Sequence, residues 1–341
     1  MVHERENDMK KALLPLVLLA LLATTGCGQK NEPSHLQQKA TLRQAWFPWC
    51  GYAGELEAAK YYAHSNGLDL VIEKGADDID PIKLLIAGKD DFGVGSAEYV
   101  VNASLKGADL HIIGIVNYKS PTCFLALQNE GVHSFADFKG KKVGILTGTE
   151  TETVYKLLKL KNIIFADVTE VEVPFDLTSF IVTKSYDIRP AYVYDEPVSL
   201  DAKGIKYTMV KPDEYVSLIS GVYFTDGKTL RDWPDKVRSF VFSVAEGWKR
   251  ALADPDDAIR LLVEYDKGVG AKKELVSLKV GTPYFAGENG RILWASPERL
   301  AAFADAMVAL KEAQNTNDVL KCFDLQYVQE YHRKYESAKQ P

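Results

Sequence analysis

Four short segments hold side chains that could grip a small molecule. The first, Trp46-Phe-Pro-Trp-Cys-Gly-Tyr52, places four aromatic rings within seven residues. Aromatic faces stack on planar heterocycles or enclose a cation. Trp46 and Phe47 could equally be core, which would leave Trp49 and Tyr52 to face a cleft. In Ser96-Ala-Glu98 a hydroxyl, a carboxylate and helix N–H groups converge. A plain N-cap with a dipole-favoured acid explains the same residues. Thr147-Gly-Thr-Glu-Thr151 repeats the arrangement. Thr149 with Glu152 fits a capping box, and free N–H groups there could hold an anion or a carbonyl. In Tyr192-Val-Tyr194-Asp195-Glu196-Pro197 a carboxylate could accept from ring N–H or amine donors. Alternatively, Asp195 caps the next helix and Glu196 lies in its solvated first turn. The candidate ligand contacts are Trp49, Tyr52, Ser96, Glu98, Thr147, Thr149, Tyr194 and Glu196.

Other chemistries find no support. The six histidines stand at 3, 35, 64, 111, 133 and 332, with no pair at helical metal spacing. There is no Cys-x-x-Cys and no His-Glu-x-x-His, so no metal site or catalytic residue is assigned, and no cofactor is expected. The sequence has no Gly-x-Ser-x-Gly elbow. Gly144-Ile-Leu-Thr-Gly-Thr lacks the lysine of a phosphate loop.

Each candidate segment follows an apolar run. Strands are expected over Thr41–Phe47, Gly67–Glu73, Asp91–Gly95, His111–Tyr118, Lys142–Ile145, Val168–Val173, Ala191–Tyr194 and Lys206–Val210. Helices between them are expected over Gly54–Ser65, Asp80–Ala87, Ala97–Leu105, Glu150–Lys161, Leu177–Thr183 and from Glu196. The Asp80-Pro81 pair supplies an N-cap and a first-turn proline. Such alternation means βαβ units and a parallel sheet. It restarts after a crossing near Cys123–Leu127, which implies two lobes. Beyond Tyr223 amphipathic helices follow at Asp235–Ala253, Pro255–Tyr265 and Pro297–Ala313, with a last helical stretch over 318–335. In the first of these Val237, Phe240, Val241, Val244 and Trp248 share a face. Ligands of open α/β sheets bind beyond the carboxyl ends of strands, so facing lobes enclose one cleft.

With 41 Lys+Arg against 47 Asp+Glu and a net charge of −6, the chain lacks the basic stripe of a nucleic-acid binder. Residues 12–23 are twelve apolar residues after Lys10-Lys11 and before Thr24-Thr25-Gly26-Cys27. This pattern reads as a secretory signal, too short for a comfortable membrane span. Met9 is an alternative start. Residues 1–26 carry three acids (Glu4, Glu6, Asp8) and three bases (Arg5, Lys10, Lys11), so their removal leaves the net charge at −6. Residues 27–40 are polar and read as a flexible tether. Cys50, Cys123 and Cys322 have no assigned pairing.

The Gly26-Cys27 end resembles a bacterial lipobox, with Thr24 where that motif usually has Leu. The resemblance implies lipid attachment at Cys27. Seven further motifs resemble the substrate-binding lipoproteins of bacterial ABC importers. They are the Trp46-x-Pro48…Gly54 loop, Gly67-Leu-Asp-Leu, Asp91-Phe-Gly-Val-Gly-Ser96, Phe138-Lys-Gly-Lys-Lys-Val-Gly144, Asp195-Glu-Pro197, Trp233-Pro-Asp-Lys-Val-Arg-Ser-Phe…Gly247-Trp248 and Asp254-Pro-Asp-Asp-Ala258. They look most like the branch related to thiamine-pyrimidine synthases, which includes sulfonate, taurine, nitrate, pyrimidine and riboflavin binders. The resemblance, over about residues 41–265, implies an α/β, two-lobed periplasmic-binding-protein fold of type II. The C-terminal helices would pack back on the first lobe, with lobe 1 over 41–124 and 222–341 and lobe 2 over 125–221. It implies a non-enzymatic, exported receptor, lipid-anchored to the cell membrane, that hands a small ligand to an ABC permease. The aromatic loop and Glu196 favour a planar heterocycle, such as a thiamine-precursor pyrimidine or riboflavin. The hydroxyl loops leave a small oxyanion (sulfonate, taurine or nitrate) as the alternative. A pyrimidine synthase would use its own His donor and a Cys-rich iron loop, but the corresponding region here holds Tyr52.

Overall fold

The computed structural model describes residues 37–164 and 167–337. Cys27, the expected signal segment and most of the expected tether lie outside the described residues. The tether reading fails at its end, because Gln38–Ala40 already pair in parallel with Leu68–Leu70. Alternation of buried Ala40, Leu42 and Gln44 extends the strand pattern upstream of its expected start at Thr41.

The first lobe is built on β1 (Gln38–Arg43), α1 (Ala53–Glu57), β2 (Leu68–Glu73), α2 (Pro81–Ile86), β3 (Phe92–Ser96), α3 (Ala97–Leu105) and β4 (Leu110–Ile115). Asp80 caps α2 as its sequence suggests, accepting hydrogen bonds from the N–H groups of Ile82 and Lys83. The helical turn begun by α1 continues as one wide turn over Ala58–Tyr62 and a tight one over His64–Asn66. The second lobe comprises β5 (Thr122–Leu127), β6 (Lys142–Ile145), α4 (Glu150–Leu160), β7 (Thr169–Glu172), α5 (Thr178–Ile181), β8 (Ile188–Tyr192), α6 (Glu196–Ala202) and β9 (Tyr207–Val210). The chain then returns as β10 (Gly221–Asp226) and continues through α7 (Gly227–Asp232), α8 (Pro234–Ala253), α9 (Pro255–Tyr265), α10 (Ala271–Phe285), α11 (Pro297–Ala309), α12 (Thr316–Leu320) and α13 (Gln326–Ser337).

The strands form two five-stranded sheets, ordered β2-β1-β3-β10-β4 and β7-β6-β8-β5-β9. Both sheets are mixed rather than wholly parallel. β10 runs antiparallel to β3 and β4, and β5 antiparallel to β8 and β9. These are the strands by which the chain enters a lobe from the other one, so they arrive from the opposite end. The segment expected as a bare crossing is therefore itself a strand, and the crossings lie at 116–121 and 211–220.

The amphipathic face of α8 is buried as its spacing predicts, with Val237, Phe240, Val244 and Trp248 all 0% exposed. It packs on α1, while α13 packs on α8 and β4. β10 and α7 lie outside every expected element, and so does α10, whose Gly281 and Pro283 disguised a 15-residue helix. It touches α6 of the second lobe and the turn at Cys50–Tyr52 of the first. No helix among the described residues is long and apolar enough to cross a membrane.

Candidate functional site

The loop after β1 folds back on itself. The Trp46 N–H donates to Tyr52 Oη (2.9 Å), and the Cys50 N–H donates to Glu274 Oε2 of α10 (2.7 Å). A Cβ on Gly51 would lie 2.5 Å from the Trp49 ring, so only glycine lets that indole lie across the turn. Trp49 thereby reaches the second lobe. Its ring centroid lies 6.4 Å from Tyr192, with near-parallel planes, and 5.6 Å from Tyr194. Tyr52 meets Trp49 edge-on and is itself buried. Burial, then the nearby Glu55, push its phenol upward. Trp46 is not simply core, since its ring lies 4.8 Å from Phe175 beyond β7.

Beside this aromatic contact two carboxyls approach from opposite lobes. Glu98 occupies the first turn of α3 and is 3% exposed, with no hydrogen-bond partner on either oxygen among the described residues. Burial holds its carboxyl well above the usual range, and the Glu150 carboxylate raises it further. Glu150 opens α4 and is equally enclosed. It accepts from the hydroxyls of Ser120 and Ser220, one on each crossing, and from Tyr192 Oη at 3.4 Å. Burial raises its carboxyl, and these hydroxyls pull it back. Backbone bonds tie the two acids together. The Ala97 N–H donates to Ser220 O (2.9 Å), and the Ser220 N–H donates to Asn117 O (3.1 Å).

The remaining sequence candidates fall around this centre. Ser96 sits at the N-cap of α3 but makes no side-chain cap bond. Thr149 is the N-cap of α4 without a cap bond, because its Oγ1 donates to Leu146 O (2.7 Å). The capping box is absent, since Glu152 accepts from the Gly148 N–H (2.8 Å) instead. Thr147 is exposed. Tyr194 is 1% exposed and packs on Tyr284 and Phe285 of α10 as well as on Trp49. Glu196 turns back on its own strand end, accepting from the Tyr192 N–H (2.9 Å) with Arg189 3.7 Å away. Burial pushes its carboxyl up to about 7, helped by Asp195 and opposed by Arg189. Asp195 makes no cap bond and pairs with Lys273 of α10, which also contacts Glu274 at 2.9 Å.

Tyr192, Glu150, Asn117, Ser120, Ser220 and Lys273 were missing from the candidate set. Tyr192 and Glu150 stood one or two residues from chosen positions, and only helix rotation and strand pleat decided which neighbour faced inward. A cavity of about 620 Å³ lies beside Glu196, lined by Phe175, Thr178, Asp195, Glu196 and Lys273 among others. Cys50, Cys123 and Cys322 are buried free thiols in separate elements. Among the described residues no group of His, Cys, Asp and Glu is arranged to hold a metal.

This geometry can be set beside known proteins. The chain is 24% identical over 279 residues, 75% of its length and 79% of the relative's, to the riboflavin-binding protein RibY of Chloroflexus aurantiacus. It is 24% identical over 237 residues, 68% of its length and 75% of the relative's, to a 4-amino-5-hydroxymethyl-2-methylpyrimidine phosphate synthase of Legionella pneumophila. Its fold matches the periplasmic aliphatic sulphonate binding protein SsuA from Escherichia coli with a TM-score of 0.67 at 15% identity, covering 82% of this chain and 90% of that one. The two-lobed periplasmic-binding-protein fold is thus the fold of this chain. The model of the NMT1/THI5 like family matches residues 56–258, more than half of the sequence, and the chain belongs to that family.

Proposed function

We propose that this protein is the solute-binding component of an ABC importer and captures a small planar heterocycle between its lobes without transforming it. The observation that carries the reading is the meeting of Trp49 from the first lobe with Tyr192 and Tyr194 from the second. Rings presented from both sides can sandwich a flat ligand and hold the lobes together once it is bound. The naming of one relative as a riboflavin-binding protein supports a heterocycle. Other relatives are named as pyrimidine phosphate synthases, but the three described cysteines are dispersed over β5 and two loops. Glu98, Ser96, Tyr52 and Thr149 would add polar or aromatic contacts to the ligand. Glu196 serves by fixing the strand end that carries Tyr192. Cys27 would anchor the chain to the outer face of the cell membrane, with the permease as partner.

A second reading, capture of a small oxyanion, draws on Thr147 and Gly148, which lie exposed before α4. The two are separated by thermal unfolding and tryptophan fluorescence with riboflavin, 4-amino-5-hydroxymethyl-2-methylpyrimidine, methanesulfonate and nitrate. A heterocycle at a hundred times its Kd should add about 2.7 kcal/mol. Stabilisation by the anions alone would refute the heterocycle reading. Detergent partitioning of wild type against Cys27→Ala tests the anchor.

A further inference from the structure

Glu98 differs from the other buried acids of the molecule. Glu55 receives a hydrogen bond from Gln44, Glu57 from Arg250, Glu150 from two serines and Glu274 from the Cys50 N–H. Among the described residues Glu98 receives none on either oxygen. An enclosed carboxyl without partners loses its hydration and gains no hydrogen bond in return. It stands, moreover, at the junction of both lobes rather than in the body of one. Asn117, on the first crossing and 6% exposed, also leaves its Nδ2 without a partner among the described residues. The Ala97–Ser220–Asn117 backbone bonds link the segments that carry these two side chains.

Among the described residues, the titratable groups that act on Glu98 or on which it acts are acidic or phenolic. They are Glu150 of α4, Tyr192 of β8 and Tyr99 on its own helix. No lysine or arginine is ion-paired with Glu98 among the described residues. Burial, and then the neighbouring Glu150, favour the protonated form of the carboxyl. A protonated carboxyl presents an O–H donor beside a carbonyl acceptor. Its complement is a ligand edge with an acceptor next to an N–H, as in an aminopyrimidine or a cyclic imide. An oxyanion has acceptors only and would leave the carbonyl unpaired while lying close to Glu150.

We propose that Glu98 is the specificity-determining residue of the cleft, pairing through its carboxyl with a ligand edge that carries an acceptor and an N–H donor side by side, while Asn117 Nδ2 supplies a further donor. The proposal rests on the receptor reading above and names the part of the ligand which that reading leaves open.

The test titrates purified full-length protein with 4-amino-5-hydroxymethyl-2-methylpyrimidine, its 4-deamino analogue, riboflavin and methanesulfonate. Tryptophan fluorescence and calorimetry follow wild type, Glu98→Gln and Glu98→Leu. Gln retains an N–H donor beside a carbonyl, so its Kd for the N–H-bearing probes should stay within about threefold. Leu should weaken the same probes by about 10- to 100-fold. The deamino analogue should bind wild type weakly and lose little more in the Leu variant. Raising the pH should weaken wild type but not Glu98→Gln. Thermal unfolding of both variants, expected at or above the wild-type midpoint, shows that they fold. Heterocycle binding indifferent to Glu98→Leu, or lost equally in Glu98→Gln, overturns this proposal and leaves the receptor reading standing. If no probe and no component of a metabolite extract shifts the unfolding midpoint, both fall. A released ligand without an N–H, identified by mass spectrometry, also overturns it.

Discussion

Replacing Glu55 by Gln should flatten much of the pH dependence of stability. Glu55 lies in α1, directly behind the aromatic loop, and is 0% exposed. Its Oε2 accepts from Gln44 Nε2 at 3.0 Å, and its Oε1 has no partner within hydrogen-bond distance among the described residues. Burial pushes the carboxyl from 4.5 up to about 8, against the pull of Gln44 and Tyr223. The sign follows from proton counting. Below the unfolded value both states hold the proton and nothing is lost. Between the two values the unfolded chain ionises while the folded one stays protonated, so stability falls as the pH rises. Above the folded value the slope ends. The loss grows from about 1 kcal/mol near pH 5 to about 3 kcal/mol near pH 7. Gln has nearly the same shape, keeps an oxygen for Gln44 and does not titrate. Thermal unfolding of the two proteins should therefore show no gap near pH 4.5 and a gap on the order of 5 °C near pH 7.5, with the variant more stable. Glu57 and Glu196, both pushed up to about 7, leave a residual slope in each protein. Parallel profiles, or a variant less stable at the higher pH, would refute the reasoning, because Glu55 would then be ionised and paired.

Three further outcomes test the framework around the site. Gly247→Ala places a Cβ 2.1 Å from the Gly54 carbonyl oxygen and 2.6 Å from the Ala58 nitrogen, backbone atoms that cannot give way. A loss of about 3 kcal/mol or more in denaturant unfolding is expected, and a neutral variant would mean that α8 does not sit so close to α1. Ser120→Ala and Ser220→Ala each remove one donor to buried Glu150. Each should cost about 1 kcal/mol, with non-additivity in a cycle with Glu150→Gln; strict additivity would argue against a shared carboxyl. Lys273→Met breaks the link from α10 to Asp195 and leaves Glu274 beside it. A fall of about 1–3 kcal/mol is expected, whereas an unchanged midpoint would mark the bridge as a solvent-screened surface pair.

Much of this molecule was determined locally. The alternation of short apolar runs with amphipathic stretches fixed most strands and helices, because the pleat and the 3.6-residue turn impose their periods on the sequence. The Asp80-Pro81 start of α2 needed only its neighbours to be recognised. The density of rings in Trp46–Tyr52 likewise marked the loop that reaches the other lobe. Prediction failed where the deciding contacts were distant. Gly281 and Pro283 hid α10, which is held by packing on both lobes despite its weak intrinsic propensity. The direction of β5 and β10 depends on which lobe the chain comes from, and no local pattern records that. The choice of Glu150 over Glu152, and the inward turn of Tyr192, depend on how a helix is rotated and a strand pleated against its neighbours. Ser120, Asn117 and Ser220 have nothing unusual around them in the sequence. They matter because two crossings about a hundred residues apart lie side by side, so that the two serines donate to one carboxyl and the Asn117 carbonyl accepts from the Ser220 N–H. Short-range chemistry thus chose the parts, and long-range packing chose which of them share an unsatisfied, desolvated space, where polar atoms without partners point to a ligand.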